Sequence, residues 1–346
     1  MPNAPLRLTL LSLLVALHPL AAQEGPPEDD LLQAITSSKL HYDLAATGGP
    51  IRKPVEELHC PARSIATRVV RGPGGTKQLQ PWDADTAPHL DAATKLFAAQ
   101  RYAAAGEIYR QALKLDPTLP QAHRFLADVL AKLGRVSQAQ DEYVKALVYD
   151  PSSDGAREGL AALGAKAGFT LARHELLPPE GALGEAEEGR VPIALGPEQK
   201  QWVPYFLCKA VWRNEPAYRG RRLGKEGEGV YSWTVQEEAE CLVSYLVGNL
   251  SATETEIQEA ARKARPDAPP AEVPVEQVLA AAPPLLRHLK EVADAKLLPG
   301  YALFAVLGRR CPAAIAVLPD RAQADLERYI RRFVIVPSGV TRPAGR

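Results

Sequence analysis

Chemistry-bearing residues are sparse in this sequence. Four cysteines, Cys60, Cys208, Cys241 and Cys311, are spread along 346 residues, and none stands in a C-x-x-C pair. That spacing excludes a thioredoxin-like dithiol, a zinc ribbon and a c-type haem attachment. Four thiols are also too few for a disulfide-built fold; in an oxidising compartment they could form one or two bridges, with three pairings open. G-x-S-x-G, H-E-x-x-H and EF-hand patterns are absent, so no catalytic residue, metal ligand or cofactor is expected. Charge of one sign is lacking too: 41 basic residues face 41 acidic ones, leaving no global field for nucleic acid or an anionic membrane. Beyond residue 22, no stretch reaches the roughly 18 uninterrupted apolar residues of a membrane span.

The first residues carry a different signal. A start whose only charge is Arg7 precedes the apolar run Leu8–Leu17, and His18-Pro19-Leu20-Ala21-Ala22-Gln23 closes it with small residues. Such a pattern reads as a secretory signal over 1–22, cleaved after Ala22. The run is too short to cross about 30 Å of hydrocarbon as an anchor. The expected location is therefore periplasmic or extracellular. Arginine outnumbers lysine, alanine and proline abound, and methionine occurs once, the usage of a GC-rich bacterial genome.

The strongest internal feature is an echo at 34 residues. Ala105, Tyr109, Ala112, Leu113, Asp116 and Pro117 recur as Ala139, Tyr143, Ala146, Leu147, Asp150 and Pro151. A fixed period of this length marks stacked helix hairpins. In the first unit Leu96, Phe97, Tyr102, Ala105, Ile108, Tyr109 and Ala112 follow helical steps; in the second, Phe125, Leu126, Leu130, Leu133, Ala139, Tyr143, Ala146 and Leu147 do so. These residues resemble a pair of tetratricopeptide repeats, 86–119 and 120–153, with Gly134 at the inter-helix turn and a cap helix over 154–167. Gln100 departs from the glycine usual in the family, and His89 and His123 stand where an aromatic is common.

Around this array the reading is coarser. Residues 23–85 look like a linker or partly ordered extension, with a short helix near Asp30–Thr36 and a strand near Ser64–Val70. Gly72-Pro-Gly-Gly-Thr-Lys77 lacks the spacing of a phosphate loop and reads as a turn. An acidic linker is expected over 168–200, a mainly helical C-terminal domain over 201–337, and a flexible tail over 338–346. In that domain Gly220–Gly229 divides two short strand candidates, which suggests a small β-hairpin or a long surface loop. Capping boxes at Thr234–Glu237 and Ser251–Glu254 predict two helices separated by Gly248-Asn249. Further helices are expected at 275–282, 284–296, 299–310 and 320–332, then a terminal strand at Phe333–Val336. The fold class is thus mainly α: an α-solenoid fragment of two hairpins and a cap, followed by a mainly helical region.

Carried over from the resemblance, the binding groove is lined by the first helices, at Leu90, Thr94, Phe97 and Ala98, then Gln121, Arg124, Asp128 and Lys132. This mixed set suits an extended peptide or neighbouring helix, with Phe97 as anchor and Arg124 and Lys132 as charge partners. The chain's own C-terminal domain is the competing occupant, and the exposed face of Leu90 and Phe97 is the route to a homodimer. Arg219, Arg221, Arg222 and Lys225 beside Trp212, Tyr218 and Trp233 could serve an anionic polymer, though Glu226 and Glu228 dilute them towards a solvated hairpin tip. His59, His174 and His288 have no metal-ligand partners at helical spacing. The expected function is a protein–protein interaction or assembly module of the bacterial envelope. Its rival is an envelope enzyme with a catalytic C-terminal domain, which would require a polar pocket near Trp212, Trp233 or His288.

Overall fold

The computed structural model describes residues 27–45, 51, 53–55, 67–72, 76–81, 86–174, 176–224, 227, 229–267, 269 and 272–339. The secretory-signal segment, His59 and Cys60 lie outside them. In chain order the structure begins with α1 (Pro27–Ser37), β1 (His41–Ala45), β2 (Thr67–Arg71) and β3 (Lys77–Pro81). Five helices follow: α2 (Thr86–Ala98), α3 (Tyr102–Leu115), α4 (Pro120–Lys132), α5 (Val136–Tyr149) and α6 (Asp154–Ala167). Strands β4 (Phe169–Leu171) and β5 (Arg190–Ala194) precede α7 (Val203–Asn214), α8 (Pro216–Leu223), α9 (Val235–Ala264), α10 (Val275–Ala281) and α11 (Pro284–Asp294). Last come α12 (Leu298–Tyr301), a π-helical stretch Ala302–Leu307, α13 (Gly308–Arg310), α14 (Pro312–Val317), α15 (Asp320–Tyr329), a second π-helical stretch Ile330–Val334, and β6 (Ile335–Pro337). Helix dominates throughout, as the hydrophobic periodicity predicts.

The chain folds as two compact units, each made of separated segments. One joins Leu58–Glu175 to Pro299–Ala344; the other joins the residues up to Glu57 to Leu176–Leu298.

In the first unit α2 to α6 pack in succession as helix hairpins. Ala105, Ala112, Ala139 and Ala146 are all fully buried, because a methyl side chain is what permits close helix crossing. The Asp-Pro that ends each hairpin works by one mechanism twice. Asp116 Oδ1 accepts from the Thr118 backbone N–H (2.8 Å) and hydroxyl (2.7 Å). One period on, Asp150 Oδ1 accepts from the Ser152 N–H (3.0 Å) and hydroxyl (2.6 Å). The turn between helices is also shared, with Gly134 at φ +72° and Gln100, at the equivalent position, at φ +60°. Gln100 therefore takes the left-handed conformation without being glycine, at a cost of roughly 1–2 kcal/mol. The cap helix α6 starts on Ser153, whose hydroxyl accepts from Ala156 N–H, and ends at Gly168.

The end of the chain returns to this array. β6 pairs antiparallel with β4, Leu171 opposite Ile335, and α14 and α15 pack on α5. Arg331 reaches Asp141 on α5 at 2.9 Å, and Lys77 of the β2–β3 hairpin reaches Asp320 at 2.6 Å. Residues 299–337, expected to fold with the helices before them, thus sit with the repeats. The cause is visible on α5, which buries Val144 and Val148 besides its motif residues.

In the second unit α7 packs along α9, α1 lies against α7 and α8, and β1 runs parallel to β5. Three expectations change here. The stretch expected as an acidic linker holds β5, and Leu183 also bridges to Ile193. Of the hairpin or long loop expected around Gly220–Gly229, the first strand candidate is helical, in α7 and α8, since Trp202, Tyr205, Phe206 and Trp212 recur at helical intervals and are buried together, and the described residues between Leu223 and Val235 hold no strand. Finally, α9 is one helix of 30 residues, not two. Gly248 does not stop it; a β-carbon there would fall 2.3 Å from Pro204 Cγ, so glycine lets α7 approach. The Asn249 amide donates to the Tyr245 carbonyl (2.7 Å) one turn back and to the Gln201 carbonyl (2.9 Å).

Candidate functional site on the repeat helices

The two tyrosines of the sequence echo each send their hydroxyl to a first-helix residue fifteen positions earlier. Tyr109 lies 3.4 Å from the Thr94 hydroxyl, and Tyr143 donates to Asp128 Oδ1 at 2.5 Å. Thr94 and Asp128 are themselves one period apart, so the repeat sets a polar row along the first helices. Burial lifts the Asp128 carboxyl above the ordinary aspartate range, against the opposing pull of the Tyr143 hydrogen bond and the Arg124 and Lys132 charges.

On α4 this row is elaborated. Arg124 Nε stands 3.3 Å from Asp128 Oδ2, and its guanidinium lies over the Phe125 ring at 4.4 Å from the centroid. Phe125 in turn stacks on Tyr109 at 5.5 Å. Arg124 Nε meets Asp128 as a charge contact without hydrogen-bond geometry, and the Gln121 carboxamide oxygen accepts no hydrogen bond. Both side chains are half-buried, one turn apart on the same helix. Lys132 is exposed at the far end.

The groove residues read from the sequence thus divide. Gln121, Arg124 and Asp128 come together, with Thr94 in the equivalent place on α2. Phe97 is half-buried and edge-on to Tyr102 at 5.2 Å, and Ala98 is exposed. Leu90, only 5% exposed, is core. Inside this unit the returning helices α14 and α15 pack on α5, the second helix of its hairpin, so the occupant drawn from 299–337 lies against a second helix and not along the first ones.

A second concavity of about 380 Å³ opens beside α6, among Arg157, Glu158, Arg173, His174, Phe304 and Arg309. Sequence reasoning missed it because three separate segments supply those residues, and no spacing links them.

Other candidates are absorbed by the fold. Arg219 is 4% exposed and donates to the carbonyls of Trp212, Arg213, Gly227 and Gly229; it ties a loop together and meets no polymer. Arg222 pairs with Glu240 at 2.7 Å. Of the aromatics expected as a stacking platform beside them, Trp212 and Tyr218 are buried, and Trp233 is half-buried with its indole N–H towards Glu238. Behind Trp233 lies a cluster that no motif announced. Lys209 Nζ sits 2.9 Å from Glu237 Oε1 and 2.8 Å from Glu238 Oε2; Tyr231 donates to Glu237 (2.8 Å), Tyr205 to Glu238 (2.6 Å). Lys209, Glu237 and Glu238 are 7, 0 and 2% exposed, so this is a paired polar core closed to solvent. Burial raises Glu237. On Glu238 burial pushes the same way, but the Lys209 charge and the hydrogen bonds of Lys209, Tyr205 and Trp233 outweigh it and hold the carboxyl below its usual range. The only sequence trace was the Thr234 cap: its hydroxyl accepts from Glu237 N–H (3.0 Å), while the Glu237 side chain turns inwards to Lys209.

Among the described residues, no helix is long and apolar enough to cross a membrane, and no cluster of three or more metal-ligating side chains occurs. Residues 96–165 match the family model for the tetratricopeptide repeat. No curated protein and no solved structure matches the chain. By its paired helix hairpins and by that match, residues 96–165 are a tetratricopeptide-repeat segment, an element through which proteins bind or assemble with one another.

Proposed function

We propose that this protein is an exported bacterial adaptor whose first-helix face holds an extended segment of a partner protein. The observation that carries the reading is the pair of unmet polar groups on α4. Gln121 offers an acceptor and Arg124 a donor, one turn apart on half-buried side chains, and both atoms are closed to solvent in the unbound fold. A peptide backbone presents the complementary N–H and C=O at that scale, and burying either group unpaired costs about 1–3 kcal/mol that a bound chain would recover. Lys132 adds a cation at one end and Phe97 an apolar contact on the neighbouring hairpin. Export is supported by the apolar run ahead of Ala22 and by Cys311, which is disulfide-bonded.

Photo-crosslinking in the native host tests both parts. A photoreactive residue at Lys132 is expected to give a discrete adduct that a Gln121→Ala/Arg124→Ala background abolishes; one at Gln111, exposed on α3, should give none. Equal labelling from both positions would contradict the reading, and an adduct at twice the chain's own mass would assign the face to self-association. N-terminal sequencing of the same material is expected to begin at Gln23; a chain beginning at Met1 would overturn export.

A further inference from the structure

The cysteines left free by the fold stand together. Cys208 on α7 and Cys241 on α9 place their sulfurs 2.8 Å apart, both buried, in the helix pair at the heart of the second unit. Two non-bonded sulfurs ordinarily keep well over 3 Å between them, even when a thiol donates to its neighbour. Covalent bonding brings them to about 2 Å. The pair therefore sits between contact and bond, with both Sγ atoms already aimed at each other. Cys311 is disulfide-bonded and neither of these two is its partner, so no competing thiol among the described residues claims either one.

We infer that Cys208 and Cys241 form a disulfide that staples α7 to α9. The bridge forms by exchange with a disulfide-bonded oxidant, small-molecule or protein. One thiolate attacks the oxidant's S–S bond and expels one thiol, and the second thiolate displaces the other from the mixed disulfide. Two protons and two electrons leave the cysteines, and the oxidant departs as two thiols. The exchange belongs to folding and not to the finished fold. Both residues are at most 1% exposed, and burial pushes the Cys241 thiol well above its ordinary range, so the thiolate that must attack is scarce once the helices close. For the same reason the finished bridge is shielded from reductants. The loop it closes, 33 residues apart in sequence, corresponds to a gain of roughly several hundred-fold in the folding equilibrium constant.

The neighbouring chemistry suits this role. Cys208 adjoins Lys209 in sequence, so the staple lies beside the closed Lys209–Glu237–Glu238 cluster. A covalent tie there holds in register the two helices whose charges must meet.

The test uses the full chain. Reduced, denatured protein is refolded in a glutathione redox buffer, denatured again without reductant, alkylated and peptide-mapped. A Cys208–Cys241 linked peptide, with neither residue alkylated, is the expected result, and the bridge should resist glutathione until denaturant is added. Alkylation of both cysteines after refolding would overturn the proposal. The same mapping on protein taken directly from its host separates this inference from export. A bridge in both samples supports the two together. A bridge after refolding alone still supports the pairing and speaks against an oxidising location.

Discussion

Lys209 illustrates how one residue can carry a disproportionate share of a core. It is the cation contacting both Glu237 and Glu238, and all three are closed to solvent. Lys209→Met keeps the stem's volume and removes the charge, leaving two carboxylates facing each other in a low dielectric. Breaking a buried pair in this way costs about 3–5 kcal/mol. The pH dependence contributed by Glu238 should also change sign. In the native protein Glu238 is depressed below its unfolded value; its contribution is present above that value and is lost as pH falls through the folded one. Without Lys209 both carboxyls rise above their unfolded values, so stability is regained as pH falls through them. Urea denaturation of the variant should show the deficit at pH 7 and a smaller one at pH 5; an equal deficit at both would contradict this account. At this scale the repeats were partly legible, because Tyr109 and Tyr143 recur visibly. Their bonds to Thr94 and Asp128 were not, since sequence spacing shows neighbours on a helix and not the direction of a hydroxyl.

At the level of elements, Gly248 separates propensity from packing. In a helix interior, alanine is favoured over glycine by about 1 kcal/mol, so Gly248→Ala should stabilise α9 if intrinsic preference decided. A β-carbon there meets Pro204, and overpacking costs about 1–3 kcal/mol. The clash is the larger effect: Gly248→Ala is expected to lower the thermal midpoint, and a raised midpoint in a calorimetric scan would show that α7 does not press on α9. Read as a sequence, Gly248-Asn249 looked like a stop signal, because glycine's two uses, ending a helix and admitting a neighbour, are written with one letter. The reverse happened at Gln100, where a turn conformation glycine would supply at no strain is imposed on another residue by the hairpin around it.

For the whole molecule, chain order and spatial order part company. The repeat-bearing unit closes only when residues 299–337 return to pair β6 with β4 and cover α5. A two-hairpin array is short of the three or so repeats usually needed for stability, and the returning segment supplies the missing cover. A fragment of residues 86–167 should therefore melt at a lower temperature, and less cooperatively, than the same helices in the full chain. Circular dichroism of the fragment would decide it, since a sharp, monomeric transition as high as the full chain's would mean that the return segment contributes nothing.

The sequence alone determined the repeats, their period and their turns, because each rests on local physics: apolar residues at helical steps, small residues at crossings, Asp-Pro at the ends. It also lacks the closely spaced motifs of known metal and dithiol sites. Only the tertiary structure decided that the last helices belong with the repeats, that Arg219 and the aromatics around it are core, and that Cys208 meets Cys241. Each of these joins residues on separate elements, and apolar or polar character fixes only that a residue seeks a partner. Which partner it finds depends on how the helices pack.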